Sequence, residues 1–353
     1  MFIALAILAF GVIIAIHELG HFLAARALNV KVKEFAIGMG PKLLKKQGKE
    51  TLYTLRALPF GGFCDLEGEH EEGEEPNPRS FLSQKRWRRV VILAAGSVAN
   101  IIFAFIVVLI LTATMNGFIG TTITNVQDRF PDAGPPAIMN GDRIVEINGE
   151  TLFYYDDFIL FMNLYEDSPI TFTIERDGEL ITHERQPYII DGEEQFRYWL
   201  PPSAFNFIEN NVWETLRYSG YQMFSYVRMI RVSVAMMVSG VIGVDQAAGA
   251  VGIVDVMNTV GQEAPTVAAG VISIISIMAF IAVNVGIINM LPIPAMDGGR
   301  ILFVFLSWVI EKIIGKPLNP KYEAYINTVA FVLLIGLMIL LLYNDVMRII
   351  ARP

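Results

Sequence analysis

Charge is scarce in this chain of 353 residues. Asp, Glu, Lys and Arg make up 18% of it and hydrophobic residues 54%, whereas soluble globular proteins carry about 25% charged residues. That imbalance excludes a disordered chain and argues against a soluble enzyme. Basic charge is the scarcer sign. The formal net charge is −8, which argues against a protein that neutralises nucleic-acid phosphates. Cysteine is nearly absent, and Cys64 alone excludes an internal disulfide framework. No Lys or Arg precedes Arg26. The apolar start therefore lacks the positive n-region of a cleaved signal peptide and reads as a retained membrane helix.

Long apolar runs are what the chain has instead. They cover residues 1–28, 90–115, 267–291 and 324–343. Each is long enough, as a helix, to cross a hydrocarbon core of about 20 residues. A further stretch, 229–244, is apolar but short and carries Arg231; the longer segment 213–244 reads as an interfacial amphipathic helix rather than a span. Thirteen Lys and Arg lie from Arg26, near the end of the first run, to Arg89, just before the second, and eight lie in the much longer segment between the second and third. The positive-inside rule then makes the first connection cytoplasmic and the second external, with both termini outside. The acidic run 67–75 reads as a solvated loop and does not oppose this, because acidic residues count little in the rule.

The external insert has a different character. Alternation in Ile170–Thr171–Phe172–Thr173–Ile174 reads as a strand, and Asp177–Gly178 reads as a hairpin turn. The stretch from Gly141 through Asp142, Ile144 and Ile147 to Asn148–Gly149 reads as a strand and a tight turn. It resembles a PDZ domain, with Ala133–Gly134–Pro135 fitting that pattern less well. PDZ domains take peptide ends by strand addition; a folded spacer or steric filter is the equal alternative.

The chemistry is concentrated in the first run. His17–Glu18–Leu19–Gly20–His21 places two imidazoles at i and i+4, on one helix face. That spacing suits one zinc ion, with Glu18 beside it as general base. Ionisable groups in an apolar helix are costly and functional by default. Catalytic zinc usually has a third protein ligand. The segment Asn289–Met290–Leu291–Pro292–Ile293–Pro294–Ala295–Met296–Asp297–Gly298–Gly299 offers Asp297. Its two prolines end the third apolar helix. Taken alone, Asp297 reads better as the N-cap of a helix over residues 300–314; paired with the two histidines it reads as the third ligand.

Together these residues resemble the site-2 protease family of intramembrane zinc metalloproteases, and within it the bacterial RseP/RasP-type regulators of sigma-factor signalling. His17, Glu18 and His21 match the first family motif. Asn289, Pro292, Pro294, Asp297 and Gly298 match the second, with Met296 at the usual Leu. Gly38 and Gly40 resemble the family's membrane-dipping hairpin, residues 58–63 its following strand, and Gly96 with Asn100 its second-helix motif, Ser97 replacing a common Pro.

The resemblance implies a polytopic α-helical membrane protein of about four transmembrane helices, with an inserted PDZ-like α+β domain and a cytoplasmic, membrane-associated β-hairpin. Its parts are expected at 1–116 (first membrane segment), 117–200 (PDZ-like domain), 201–262 (interfacial helix region) and 263–353 (second membrane segment). It implies one Zn2+ on His17, His21 and Asp297, catalysis by Glu18, and substrate binding by Asn289, Pro292, Pro294, Gly38 and Gly40. The implied location is a bacterial cell membrane, with the active site toward the cytoplasm. The implied substrate is a single-pass membrane protein of the anti-sigma-factor type after a first cleavage, or signal-peptide remnants. A helical substrate must unwind before cleavage, and the strand-like segments 35–40 and 51–55 read as places for it to pair by strand addition; an ordinary cytoplasmic β-hairpin is the equal alternative.

Two other classes compete. One is a non-catalytic PDZ-bearing receptor or scaffold with a structural metal site, which has no need of Glu18. The other is a metal transporter, which would show internal repeats, and no repeat is visible here.

Overall fold

A computed structural model describes the chain except residues 70–76, 126–137, 166–169, 186–187, 191–192, 196–199, 241–248, 316–319 and 351–353. Ala133–Gly134–Pro135 and residues 70–75 of the acidic run lie outside the described residues. In chain order the elements begin with helix α1 (Phe2–Ala27), strands β1 (Val32–Gln47) and β2 (Leu52–Leu66), and helix α2 (Arg86–Ala113). Then come β3 (Gly117–Ile123), β4 (Arg143–Ile147), β5 (Glu150–Thr151), α3 (Tyr155–Leu164), β6 (Ile170–Arg176) and β7 (Glu179–Arg185). β8 (Tyr188–Ile190), β9 (Glu193–Gln195), β10 (Phe205–Glu209) and α4 (Val212–Val238) follow. The chain closes with α5 (Ala250–Glu263), α6 (Val267–Met290), α7 (Asp297–Ile314) and α8 (Pro320–Ile350).

Among the described residues four helices are long and apolar enough to cross a membrane: Phe2–Ala27, Arg86–Ala113, Val267–Met290 and Tyr325–Arg348. The chain is thus a polytopic membrane protein carrying a β-sheet region. It divides into two compact units, one of residues 1–111 and 222–353, the other of residues 112–221.

In the first unit, small residues let helices approach closely. Gly20 of α1 lies so near α2 that an added Cβ would sit 2.3 Å from the Ala95 carbonyl oxygen. Gly286 of α6 meets the Ser97 carbonyl in the same way at 3.0 Å. Lipid supplies no hydrophobic drive between helices, so such close packing holds them together. Ala6, Ala9 and Ile13 of α1 pack with Ala104, Val108, Met257, Ile274 and Ala279 in one core cluster. Phe22, Ala25, Phe35, Leu66, Ile92 and Leu93 form a second, where α1 and α2 meet the hairpin.

β1 and β2 are each bent, so their pairing makes four arms. Residues 34–37 pair on one side with 52–55 and on the other with 62–65, while 44–47 pair with 52–55. The inner arms are therefore 34–37 and 52–55. The outer arms, 42–47 and 62–66, have one strand neighbour each among the described residues. This corrects the expectation that segments 35–40 and 51–55 receive a substrate strand: across 35–37 and 52–55 both backbone edges are already used. Gly38 and Gly40 adopt φ of 85° and 82° where β1 bends, a conformation costly for residues with a Cβ. An added Cβ at Gly38 would meet the Leu58 carbonyl oxygen at 2.5 Å.

The second unit has a sheet in the order β10-β3-β4-β6-β7, with β5 beside β4 and α3 connecting β5 to β6. Its core is Ile123, Ile144, Ile147, Leu152, Phe158, Phe161, Ile170, Phe172, Ile174 and Phe205, all buried. The motif residues around position 145 earn their places structurally. Asp142 is buried and accepts from Arg176 Nε at 2.7 Å and Nη2 at 2.8 Å, and from the Met139 N–H at 2.7 Å. Asn148 (φ 50°) and Gly149 (φ 78°) form the turn into β5, and Asn148 Oδ1 accepts the Thr171 N–H at 2.7 Å. Asp177 (φ 53°) and Gly178 (φ 84°) make the β6–β7 hairpin turn, both left-handed as a type I′ turn requires.

Candidate metal centre

His17 and His21 lie one turn apart on α1 and point at the same space. Their Nε2 atoms are 3.2 Å apart. Asp297 Oδ2 lies 3.2 Å from His17 Nε2 and 3.4 Å from His21 Nε2. Four-coordinate zinc with ligand bonds of about 2.0–2.1 Å separates its donor atoms by about 3.3–3.4 Å. The three donor atoms thus already stand at the edge lengths of a zinc tetrahedron, with one corner left for a fourth ligand. Asp297 Oδ2 is buried and lacks a hydrogen-bond partner, an orphaned acceptor that a cation would satisfy. Two imidazoles and a carboxylate are an ordinary catalytic-zinc donor set, so the residues fit the metal.

Local folding delivers each candidate ligand. Both histidines come from an unbroken helix, so their separation is set by helical pitch. Asp297 arrives by an interruption. Leu291, preceding Pro292, takes an extended ψ of 146° and ends α6. The chain turns through residues 292–296 and restarts as α7, with Met296 as the N-cap and Asp297 the first helical residue. Asp297 therefore does not cap its helix, the alternative its sequence allowed. Its carboxylate sits at the helix N-terminus, where the dipole favours an anion. Gly298 and Gly299 permit the turn, since a Cβ on either would lie 2.2–2.3 Å from carbonyl oxygens of residues 290, 291 and 293.

The groups behind the ligands set the ring orientations. A histidine that ligates through Nε2 keeps a proton on Nδ1 and must donate it. His21 Nδ1 meets the Ile92 carbonyl at 2.8 Å. His17 Nδ1 lies 3.5 Å from the Asn100 side-chain amide. The Asn100 Oδ1 is buried with no partner, and turning the amide by a half-rotation satisfies both groups at once. Gly96 of α2 faces the rings: an added Cβ would lie 2.3 Å from His21 Nε2 and 2.8 Å from His17 Cε1. Asn289, at the end of α6, places its amide nitrogen 3.4 Å from His17 Nε2.

His17, Glu18, His21 and Asp297 line one cavity of about 620 Å³, with Phe63, Cys64, Asp65 and Leu66 of the outer β2 arm, Ile92 and Leu93 of α2, and Glu69 and Arg300. The Cys64 backbone N–H hydrogen-bonds the Glu18 carboxylate. Burial, followed by the charges of Glu18, Glu69 and Asp65, pushes the Cys64 thiol well above its ordinary range, so it has no thiolate character. Arg300 and Glu69 form an ion pair at 2.5 Å on the cavity wall.

Of the residues expected at the site, His17, Glu18, His21 and Asp297 converge and Asn289 touches a ligand. Pro292 and Pro294 shape the loop that carries Asp297. Gly38 and Gly40 are absent from the cavity lining and serve the bend of β1. The Ile92 carbonyl, the outer arm 63–66 and the Glu69–Arg300 pair were not foreseen. A main-chain acceptor leaves no trace in residue identity, and which arm of a bent hairpin is outermost depends on register.

The profile of peptidase family M50 matches residues 5–337. A relative from Clostridium acetobutylicum, provisionally named a zinc metalloprotease, is 35% identical over 344 residues, covering 98% of this chain and 97% of its own. The zinc metalloprotease RasP of Bacillus licheniformis is 28% identical over 428 aligned positions, covering 97% and 98%. The regulator of sigma-W protease RasP of Bacillus subtilis is 26% identical over 431, covering 97% of each chain.

Proposed function

The chain belongs to peptidase family M50 and is a zinc metalloprotease of the site-2 type; on that premise we propose that it cleaves single-pass membrane proteins within or beside their membrane segment. The observation that carries this reading is the triangle of donor atoms, 3.2–3.4 Å on each side, inside a largely apolar helix and next to Glu18. His17, His21 and Asp297 are the residues that hold the metal. Zinc there supplies Lewis acidity, polarising the scissile carbonyl and lowering the pKa of a water in the site toward about 7.

Glu18 takes a proton from the attacking water and returns it to the leaving nitrogen as the C–N bond breaks. Its carboxylate is aimed by the Cys64 N–H. Asn289 offers its amide N–H to charge developing on the carbonyl oxygen. Asn100 and the Ile92 carbonyl hold the imidazoles in the tautomer that ligation needs.

A helical substrate must unwind before its carbonyls are exposed. The outer arm of β2, residues 62–66, has a free edge among the described residues and lines the cavity from Phe63 to Leu66. It is suited to receive the unwound peptide by strand addition. The hairpin exposes Leu43, Leu44 and Leu58 beside Lys42, Lys45 and Lys46, a pattern suited to resting in the cytoplasmic face of the bilayer. Pro292 and Pro294 act in substrate binding by shaping the loop next to Asn289, and Gly38 and Gly40 by bending the hairpin.

The unit of residues 112–221 serves as a single PDZ-like filter or peptide-binding module outside the membrane. The positive-inside balance favours a metal centre toward the cytoplasm of a bacterial cell. One relative is named the regulator of sigma-W protease RasP, which favours an anti-sigma-factor substrate already trimmed by a first protease.

The Glu18→Gln variant tests the mechanism. It should retain one zinc per chain by elemental analysis and lose about 100- to 10,000-fold in kcat on a purified single-pass substrate. Turnover equal to the parent enzyme would remove Glu18 from the reaction.

A further inference from the structure

The loop that brings Asp297 to the histidines contains a strained turn, and its support comes from the last helix. The Met296 N–H bonds the Ile293 carbonyl at 3.2 Å, closing a four-residue turn with Pro294 second and Ala295 third. Ala295 has φ of 70°. Proline in the second place and positive φ in the third are the marks of a type II turn, whose third position normally takes Gly or Asn. An alanine there holds a conformation its Cβ disfavours. The surrounding structure must therefore impose it.

One side chain reaches into this turn from far along the sequence. The Ala295 N–H points out of the turn and donates to Asn327 Oδ1 at 3.0 Å. Asn327 lies on α8, in the membrane-crossing stretch Tyr325–Arg348, where it is half-buried and its helix neighbours Tyr325, Ile326 and Val329 are exposed. An amide on so thinly packed an apolar helix is costly in lipid without a partner. The bond to Ala295 supplies that partner and pins the turn two residues before the zinc ligand.

We propose that Asn327 is a positioning residue of the metal centre: its amide oxygen holds Ala295 in the left-handed conformation and so holds Asp297 at zinc-ligand distance from His17 and His21. Without it, Ala295 relaxes toward negative φ, Met296 and Asp297 rotate with it, and the carboxylate leaves the triangle. This rests on the assignment of Asp297 as a ligand.

The test measures zinc affinity of the full-length protein in detergent by competition with a chromophoric chelator, for the parent, Asn327→Leu, Asn327→Leu with Ala295→Gly, and Asp297→Asn. Leucine removes the acceptor and leaves a lipid-compatible side chain. Expected are an affinity loss of about 10- to 100-fold for Asn327→Leu, the scale of removing a group that orients a ligand, and a recovery of most of it with glycine at 295, which takes positive φ freely.

Parental affinity in Asn327→Leu would overturn the proposal, and so would a double variant no better than the single one. Parental affinity in Asp297→Asn would instead remove the ligand assignment itself. If Asn327→Leu does not purify as a single species, Asn327→Ala is made with and without Ala295→Gly. Recovery of folding or affinity by the glycine supports the proposal, and its failure with both side chains overturns it.

Discussion

Gly96 shows how narrow the tolerance of the metal centre is at the scale of one residue. Nothing about a glycine in the middle of an apolar helix predicts its role. The structure supplies one: the two imidazole rings occupy the space that a side chain would need. An added Cβ at 2.3 Å from His21 Nε2 is closer than any real contact, and the neighbour it meets is the donor atom itself. The backbone of α2 also provides the Ile92 carbonyl that orients His21, so a retreat of the helix costs that bond as well. Gly96→Ala is therefore expected to lower zinc affinity at least about tenfold, as loss of an orienting group does, with little change in helix content. Chelator competition and circular dichroism check this. His17, Glu18, His21 and Asp297 were legible in the sequence because their chemistry is rare in apolar segments. Gly96 was visible as part of a motif but without its reason, and Asn327 was not visible at all, because its partner is a main-chain N–H in a loop 32 residues away.

At the scale of elements, the bent hairpin carries the least expected detail. Its stability depends on Glu34, which accepts from Lys42 at 2.9 Å, Thr54 at 2.7 Å and Arg56 at 2.8 Å. Desolvation opposes ionisation of Glu34, but the bonds from Lys42, Thr54 and Arg56 outweigh it and hold the pKa at about 2, against an ordinary value of 4.5. A carboxylate with a depressed folded pKa stabilises the fold above its unfolded pKa and loses that contribution as pH falls through the folded one. The parent protein should therefore lose thermal stability between pH 4.5 and about 2 by more than Glu34→Gln does. The variant should start lower at neutral pH and change less. Thermal unfolding in detergent across that range, compared between the two proteins, measures the difference. The strand character of the hairpin followed from its sequence, but not which arms are inner. A bend at Gly38–Gly40 and another near Gly61 (φ 83°) fold each strand on itself, and only the register reveals that 62–66 is the free edge.

At the scale of the whole molecule, the asymmetry of basic residues predicts orientation. In a Cys64→Ala background, Glu179→Cys should react with a membrane-impermeant maleimide added to intact cells, and Lys46→Cys only after the membrane is opened. The reverse labelling pattern would invert the topology and put the metal centre on the outer side.

The sequence by itself determined the apolar spans, the presence of a separate sheet-bearing insert and the candidate metal-ligating side chains. These rest on local properties: run length, alternation, and the spacing of two histidines on one helical turn. The tertiary structure alone decided that the carboxylate of Asp297 meets those histidines, which groups hold the rings, and which strand edge faces the cavity. Each is a contact between segments far apart in the chain, and such contacts are set by close helix packing at glycines and by backbone hydrogen bonds, which residue identity does not record.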